Sequence, residues 1–156
     1  MSDTAYIDWQ WRHFGELTAS ELYALLQLRS EVFVVEQNCV FLDMDNKDQA
    51  AHHLLGWLDG KLAASTRILA PGQAYEYASI GRVVTAPFAR GRGLGRELME
   101  ESIRGLYQLY GKVPIQIGAQ LYLKRFYESL GFVTCSEVYL EDGIEHIEMT
   151  RMPDHV

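Results

Sequence analysis

The ten residues "ARGRGLGREL" (89–98) hold three arginines and three glycines before the chain turns apolar. Bare backbone beside positive charge suits the binding of an anion. The stretch follows "YASIGRVVTA" (77–86), which reads as a strand. It leads into Leu94, Leu98, Met99, Ile103, Leu106 and Tyr110, which share one face of a helix that Gly111 can close. A strand that ends in a glycine turn and enters a helix presents unpaired amides at the positive end of the helix dipole, where phosphate is the usual occupant. Glycines at 91, 93 and 95 keep side chains out of the way, and Arg90, Arg92 and Arg96 add charge at the rim. The plainer alternative is an exposed basic turn that only begins a helix.

The pattern narrows the phosphate ligand. A triphosphate-binding loop needs a Lys-Ser/Thr pair to reach the phosphates and a magnesium ion, and this stretch has none. A dinucleotide fold needs its glycines after the first strand and an acid about 20 residues further on. Here several strand-like segments come earlier, and Glu100 and Glu101 follow too closely.

The rest of the chain supplies the frame. "YIDWQWRHF" (6–14) alternates Ile7, Trp9 and Trp11 with polar residues, as a half-buried strand does. Thr18-Ala19-Ser20-Glu21 has the form of a capping box, and Leu22, Leu25, Leu26 and Phe33 carry a helix on to about residue 34. Residues 37–50 hold no clean period and bring Asp43, Asp45 and Asp48 together in what reads as a solvated polar loop. Asp59-Gly60 and Asp142-Gly143 supply the tight turns of two hairpins, 52–69 and 132–151. "VPIQIGA" is a short buried strand, and Leu123, Phe126, Tyr127 and Leu130 space a second amphipathic helix that Gly131 stops. The order β-α-β-β-β-α-β-α-β-β predicts one α/β domain with a mixed sheet over residues 1–156.

Composition excludes several classes. A chain of 156 residues, 48% hydrophobic and 22% charged, reads as an ordinary soluble domain. It contains no apolar run of about 18 residues to span a membrane. "MSDTAYIDWQ" lacks the basic and apolar regions of a secretory leader, so a cytoplasmic location is expected. Net charge −7 argues against general nucleic-acid binding; it suits a cationic substrate, and surface solubility explains it equally well. Cys39 and Cys135 have no metal-ligand spacing and read as reduced, mostly buried thiols; no metal is expected.

Arg90-x-x-Gly93-x-Gly95, preceded by "IGRVVTAP" and followed at 126–132 by "FYESLGF", resembles the GNAT superfamily of acyl-CoA-dependent N-acetyltransferases. "LYALLQLRSEVFVVEQNC", "IGRV", "AQLYLKRFYESLGF" and "EVYLEDGIEHIEM" are similar to its ElaA-like branch. The resemblance implies a mixed, mostly antiparallel sheet flanked by helices, with strands four and five splayed into a cleft. It implies acetyl-CoA as co-substrate, its pyrophosphate on Arg90, Gly91, Arg92, Gly93, Gly95 and Arg96, and its pantetheine arm on backbone groups of Val83, Val84 and Thr85. One amide there would stabilise the oxyanion formed from the thioester carbonyl.

Tyr127 matches the family tyrosine that protonates the departing thiolate, although by spacing alone it is equally a core aromatic. Gln120 stands where the family commonly carries an asparagine, offering the same amide on a longer arm. The general base is open. Glu36 and His146 are preferred to Glu76, His52 and His53 because they lie in family-like stretches bordering the acceptor side, although a lone strand histidine, His146 included, is usually structural. The implied reaction is direct acetyl transfer to an amine, of a small molecule or a protein. The alternatives are a non-catalytic acyl-CoA sensor and, through Arg29, Val32 and Phe33, an acyl-homoserine-lactone-type synthase. Neither the acceptor nor the oligomeric state, a homodimer among the options, follows from the sequence.

Overall fold

Trp9 and Trp11, alternate residues of strand β1 (Asp8–His13), set how closely the layers approach. The Trp11 ring lies against Gly105 of helix α2 (Leu94–Tyr110), where even a methyl group would overlap it. The computed structural model describes residues 6–153, so residues 1–5 of the stretch read for a leader lie outside the described residues.

Helix α1 (Ala19–Arg29) begins as its capping box requires: Thr18 Oγ1 accepts from the Glu21 amide at 3.1 Å, and the Glu21 carboxylate accepts from the Thr18 amide at 2.9 Å. It runs on as a π-helical segment, Ser30–Glu36, so the helical stretch ends close to where the sequence predicts. Strands β2 (His52–Leu58) and β3 (Lys61–Leu69) form the expected hairpin, with Asp59 at φ 51° and Gly60 at φ 78° in its turn. Strand β4 (Ala78–Thr85) precedes α2; β5 (Ile115–Gln120) and the short helix α3 (Lys124–Glu128) follow.

The expected strand over 132–141 is divided into β6 (Val133–Thr134) and β7 (Tyr139–Glu141), both paired with β8 (Ile144–Arg151). Between the paired positions Thr134 and Tyr139 the chain takes more steps than β8 takes from Met149 to His146. The surplus loops out at Cys135–Val138, and the Ser136 hydroxyl takes over the Glu148 amide at 2.9 Å. Cys135 is exposed there, contrary to the expectation of two buried thiols, whereas Cys39 is buried.

The strands lie in the order β1-β2-β3-β4-β5-β8-β6, with β7 also on β8. All pairings are antiparallel except β4 with β5. α2 and α3 cover one face over Ile80, Met99, Leu106, Ile117, Phe132 and Met149. α1 covers the other over Leu25, Leu28, Leu55 and Val84. This is the single α/β domain, its mixed sheet flanked by helices, that the sequence predicts. No helix among the described residues is long and apolar enough to cross a membrane.

The acidic loop is not solvated. Asp43 and Asp48 are buried and share the buried Arg29 guanidinium, at 2.8 Å to Asp43 and 2.9 Å to Asp48. Arg67 of β3 bonds Asp45 at 2.7 Å and Asp48 at 3.2 Å. Three arginines, the third being Arg82 of β4, neutralise three aspartates that sequence proximity alone makes look like a repelling cluster. Burial by itself would raise the Asp45 and Asp48 pKa values; Arg67 at Asp45, and Arg29 at Asp48, more than offset it and hold both below the ordinary range.

Candidate active site

The pairing of β4 with β5 is confined to Ala78 with Ile115 and Ser79 with Gln116. Beyond those residues the strands part, and β5 continues only against β8. From Ile80 to Thr85, which includes Val83, Val84 and Thr85, the edge of β4 that faces β5 has no strand partner. Apart from the Thr85 carbonyl, which Arg90 occupies, backbone groups along that edge are free of a strand partner and can receive a molecule that pairs as a strand would.

A bulge shapes this edge. The β3–β4 register slips between Ser65 and Arg67, giving β4 an extra residue, and Arg82 takes up the strain at φ 46°. A left-handed non-glycine residue costs about 1–2 kcal/mol and needs outside support. The Arg82 side chain supplies it: Nη2 donates to the Asp43 carbonyl at 2.6 Å, and Nε stands 2.8 Å from the Asp43 carboxylate. The buried ionic network therefore ends at the cleft.

The glycine turn lies where β4 runs out. Pro87–Ala89 makes one 3-10 turn, Gly91 takes φ 86°, and Gly93 takes φ 71° as the N-cap of α2. No side chain caps the helix. A Cβ at Gly91 or Gly93 would meet nothing within 4 Å, so the turn faces open space. Gly95 has ordinary helical backbone, and its Cβ would only touch Phe126 at 3.9 Å. The first-turn amides of α2 thus remain available to an anion.

The rim arginines differ. Arg92 is exposed. Arg96 donates to the Ser129 hydroxyl at 3.0 Å, tying the start of α2 to the end of α3. Arg90 grips Glu36 through Nη1 and Nη2, at 2.5 and 2.7 Å, and also donates to the Thr85 carbonyl at 3.1 Å. Hydrogen bonding from Arg90 holds the Glu36 carboxylate below its usual range. The residue expected at the pyrophosphate and the residue preferred as base are brought together, each occupying the other.

Tyr127 is buried on α3, edge-on to Phe126 and Phe132. Burial pushes its phenol far above the ordinary value, so it stays protonated at neutral pH and able to donate. Gln120, at the end of β5, exchanges long amide contacts of 3.3 and 3.4 Å with Gln37. His146 lies beside Gln120 across the β5–β8 ladder. Its Nδ1 donates to the Ile144 carbonyl at 2.7 Å, and its Nε2 stands 3.5 Å from the Glu141 carboxylate. Glu76 is exposed and precedes β4. His53 is fully buried and bonded to the Asp48 carbonyl at 3.0 Å.

Sequence reasoning did not anticipate that the Tyr75 and Tyr139 hydroxyls close over Gly118 on β5, which pairs with Glu148 across the ladder. The available signal was the glycine itself: inside a strand it commonly marks a close approach or an opening. Among the described residues no group of three His, Cys, Asp or Glu side chains could hold a metal ion.

A family model described as an acetyltransferase (GNAT) domain matches residues 27–152. Protein ElaA of Escherichia coli (strain K12) is 45% identical over 147 residues, which make up 93% of this chain and 96% of that protein. The crystal structure of an acyl-CoA N-acyltransferase from Pseudomonas aeruginosa superposes with a TM-score of 0.90 at 47% identity, covering 94% of this chain and 99% of that one. The crystal structure of Escherichia coli ElaA gives 0.88 at 44%, with the same coverage. A splayed sheet, a bulged cleft strand and an open glycine turn, carried on a sequence this close to these relatives, place the chain in the GNAT family of acyl-CoA N-acyltransferases, in its ElaA-like branch.

Proposed function

We propose that the protein transfers an acetyl group from acetyl-CoA directly to an amine. The observation that carries this reading is the continuity of the unpaired β4 edge with the glycine turn, which offers a strand-like partner to an amide-bearing arm and free amides to a diphosphate. Gly91, Gly93 and Gly95, with Arg90, Arg92 and Arg96, receive the pyrophosphate; Val83, Val84, Thr85 and Gln120 receive the pantetheine amides.

In the reaction the amine nitrogen bonds to the thioester carbon, the carbon–sulfur bond breaks, and the Tyr127 hydroxyl gives its proton to the departing sulfur. An amide of the bulged strand faces the carbonyl oxygen as its charge develops. Arg90 exchanges Glu36 for the diphosphate, and the released carboxylate recovers the basicity needed to take the acceptor's proton. Glu36 is preferred as base over His146 because its partner Arg90 lies at the glycine turn, where a bound diphosphate would compete for the guanidinium. The test is thiol release from acetyl-CoA over a panel of amines, with product mass measured. Saturable binding of acetyl-CoA with no amine acetylated would replace the enzyme with an acyl-CoA sensor.

A further inference from the structure

The left-handed position of β4 falls on Arg82, although a glycine, the residue that takes it without strain, stands next to it at 81. Gly81 is not itself left-handed. The register shows where the bulge sits. Ser65 pairs with Val84 and Arg67 with Gly81, so Arg82 and Val83 together face Thr66 alone. A bulge whose first residue is left-handed ordinarily has glycine there. What arginine adds over glycine is its side chain.

That side chain is clamped. Nε stands 2.8 Å from the Asp43 carboxylate, and Nη2 donates to the Asp43 carbonyl at 2.6 Å and reaches Asp45 Oδ2 at 3.4 Å. Arg67, the β3 residue beside the slip, donates to both Asp45 oxygens, at 2.7 and 2.9 Å. The Asp45 carboxylate therefore bridges the slip, holding one arginine from each strand. On the α2 side Thr66 is buried, and its hydroxyl lies 2.7 Å from that of Ser102. Turning the peptide planes at Arg82 would pull its guanidinium away from both carboxylates. The fold itself has little need of this clamp. Without Arg82, Asp43 keeps Arg29 at 2.8 Å and Asp45 keeps Arg67, so no buried charge is stranded.

We infer that Arg82 is a positioning residue for acyl transfer: clamped by Asp43 and Asp45, it fixes the direction of the bulge amides that meet the thioester oxygen. The reaction it serves rests on the acyltransferase reading; the restraint on the bulge rests on these contacts alone. A donor aimed in advance at a developing oxyanion stabilises it without reorganising, and that advantage is lost when the donor can swing.

Arg82→Gly and Arg82→Lys decide it, each compared with the parent by thermal melting, acetyl-CoA titration and single-turnover thiol release with an accepted amine. Glycine takes the left-handed backbone, so Arg82→Gly should fold. Its acetyl-CoA affinity should stay within about threefold while transfer falls about tenfold to 100-fold, since a misaimed amide is felt chiefly in the transition state. Arg82→Lys restores a cation beside Asp43 and should recover part of the lost rate. Relaxation dispersion of the backbone amides, read on the free protein, needs no substrate. Val83 and Val84 should be quiet in the parent and show microsecond-to-millisecond exchange in Arg82→Gly. A folded Arg82→Gly that transfers as fast as the parent, or that loses affinity and rate in equal proportion, would overturn the positioning role. So would no recovery in Arg82→Lys, or Val83 and Val84 amides unchanged in Arg82→Gly. No thiol release from the parent would sink the transfer reading instead, and the relaxation measurement would still decide the restraint on the bulge.

Discussion

Arg90 and Glu36 are joined by two hydrogen bonds, at 2.5 and 2.7 Å, across the mouth of the glycine turn. The carboxylate stands where the pyrophosphate is proposed to draw the guanidinium, so the two anions compete. Glu36→Gln should tighten acetyl-CoA binding roughly two- to five-fold at low ionic strength, the scale of an exposed pair. The same variant should slow single-turnover transfer about 100-fold if Glu36 is the base. Binding by calorimetry and transfer by rapid quench separate the two effects. Unchanged affinity would mean that Arg90 does not change partners.

Gly95→Asp is the cleanest probe of the anion site. The backbone there is helical and a Cβ would meet only the edge of Phe126, so folding should survive while a negative charge enters the turn. Acetyl-CoA should then no longer raise the melting temperature, as a ligand selective for the native state otherwise does. Gly93→Ala differs, since its left-handed backbone costs about 1–2 kcal/mol with any side chain. A normal acetyl-CoA shift in Gly95→Asp would place the phosphates elsewhere.

Tyr127→Phe removes one oxygen from a buried ring that has aromatic neighbours on two sides. Its melting temperature should stay close to that of the parent. Single-turnover transfer should fall roughly 10²–10⁴-fold, with acetyl-CoA affinity little changed. A variant as fast as the parent would return Tyr127 to the core.

Arg29 lies under two buried carboxylates, and removing its charge leaves Asp43 with Arg82 alone and Asp48 with Arg67 alone. Arg29→Met should cost about 3–5 kcal/mol, measured by urea unfolding. Arg82→Gly should cost far less, because glycine accepts the left-handed bulge and the arginine side chain is partly exposed. A small loss in Arg29→Met would mean that Arg67 and Arg82 suffice for the two aspartates.

Acid should destabilise the fold in stages. His53 is lowered by burial; Asp45 and Asp48 are lowered because their arginines outweigh burial. For each, the folded pKa lies below the unfolded one, so the unfolded chain binds more protons as pH drops. Their stabilising contribution is complete above about pH 6.5 for His53 and above about pH 4 for the aspartates, and it is lost as pH falls through the folded values. The melting temperature should therefore decline below about pH 6.5 and more steeply below about pH 4. A flat profile from pH 7 to 3 would contradict these shifts.

Local signals made much of this molecule legible. The Thr18–Glu21 box, the two Asp-Gly turns and the apolar stripe of α2 are written within a few residues of each other and need no tertiary partner to be read. The glycine turn was equally plain, because strand, turn and helix adjoin in the chain. What stayed hidden depends on residues far apart: Arg67 and Arg82 reach back to the aspartate loop, and Arg90 reaches Glu36 on the first helical stretch. No composition rule says that three adjacent acids will be neutralised from three different elements.

The two-residue junction between β4 and β5 leaves the sheet as two panels that share almost no main-chain ladder. What joins them is the packing of Ile80, Ile103, Leu106 and Ile117 beneath α2. Amide exchange should then resolve two separate cooperative blocks, one of β1–β4 and one of β5 with β8, rather than a single graded sheet. The two blocks should merge when a ligand bridges the cleft, because a molecule bonded to both panels makes either one harder to open alone.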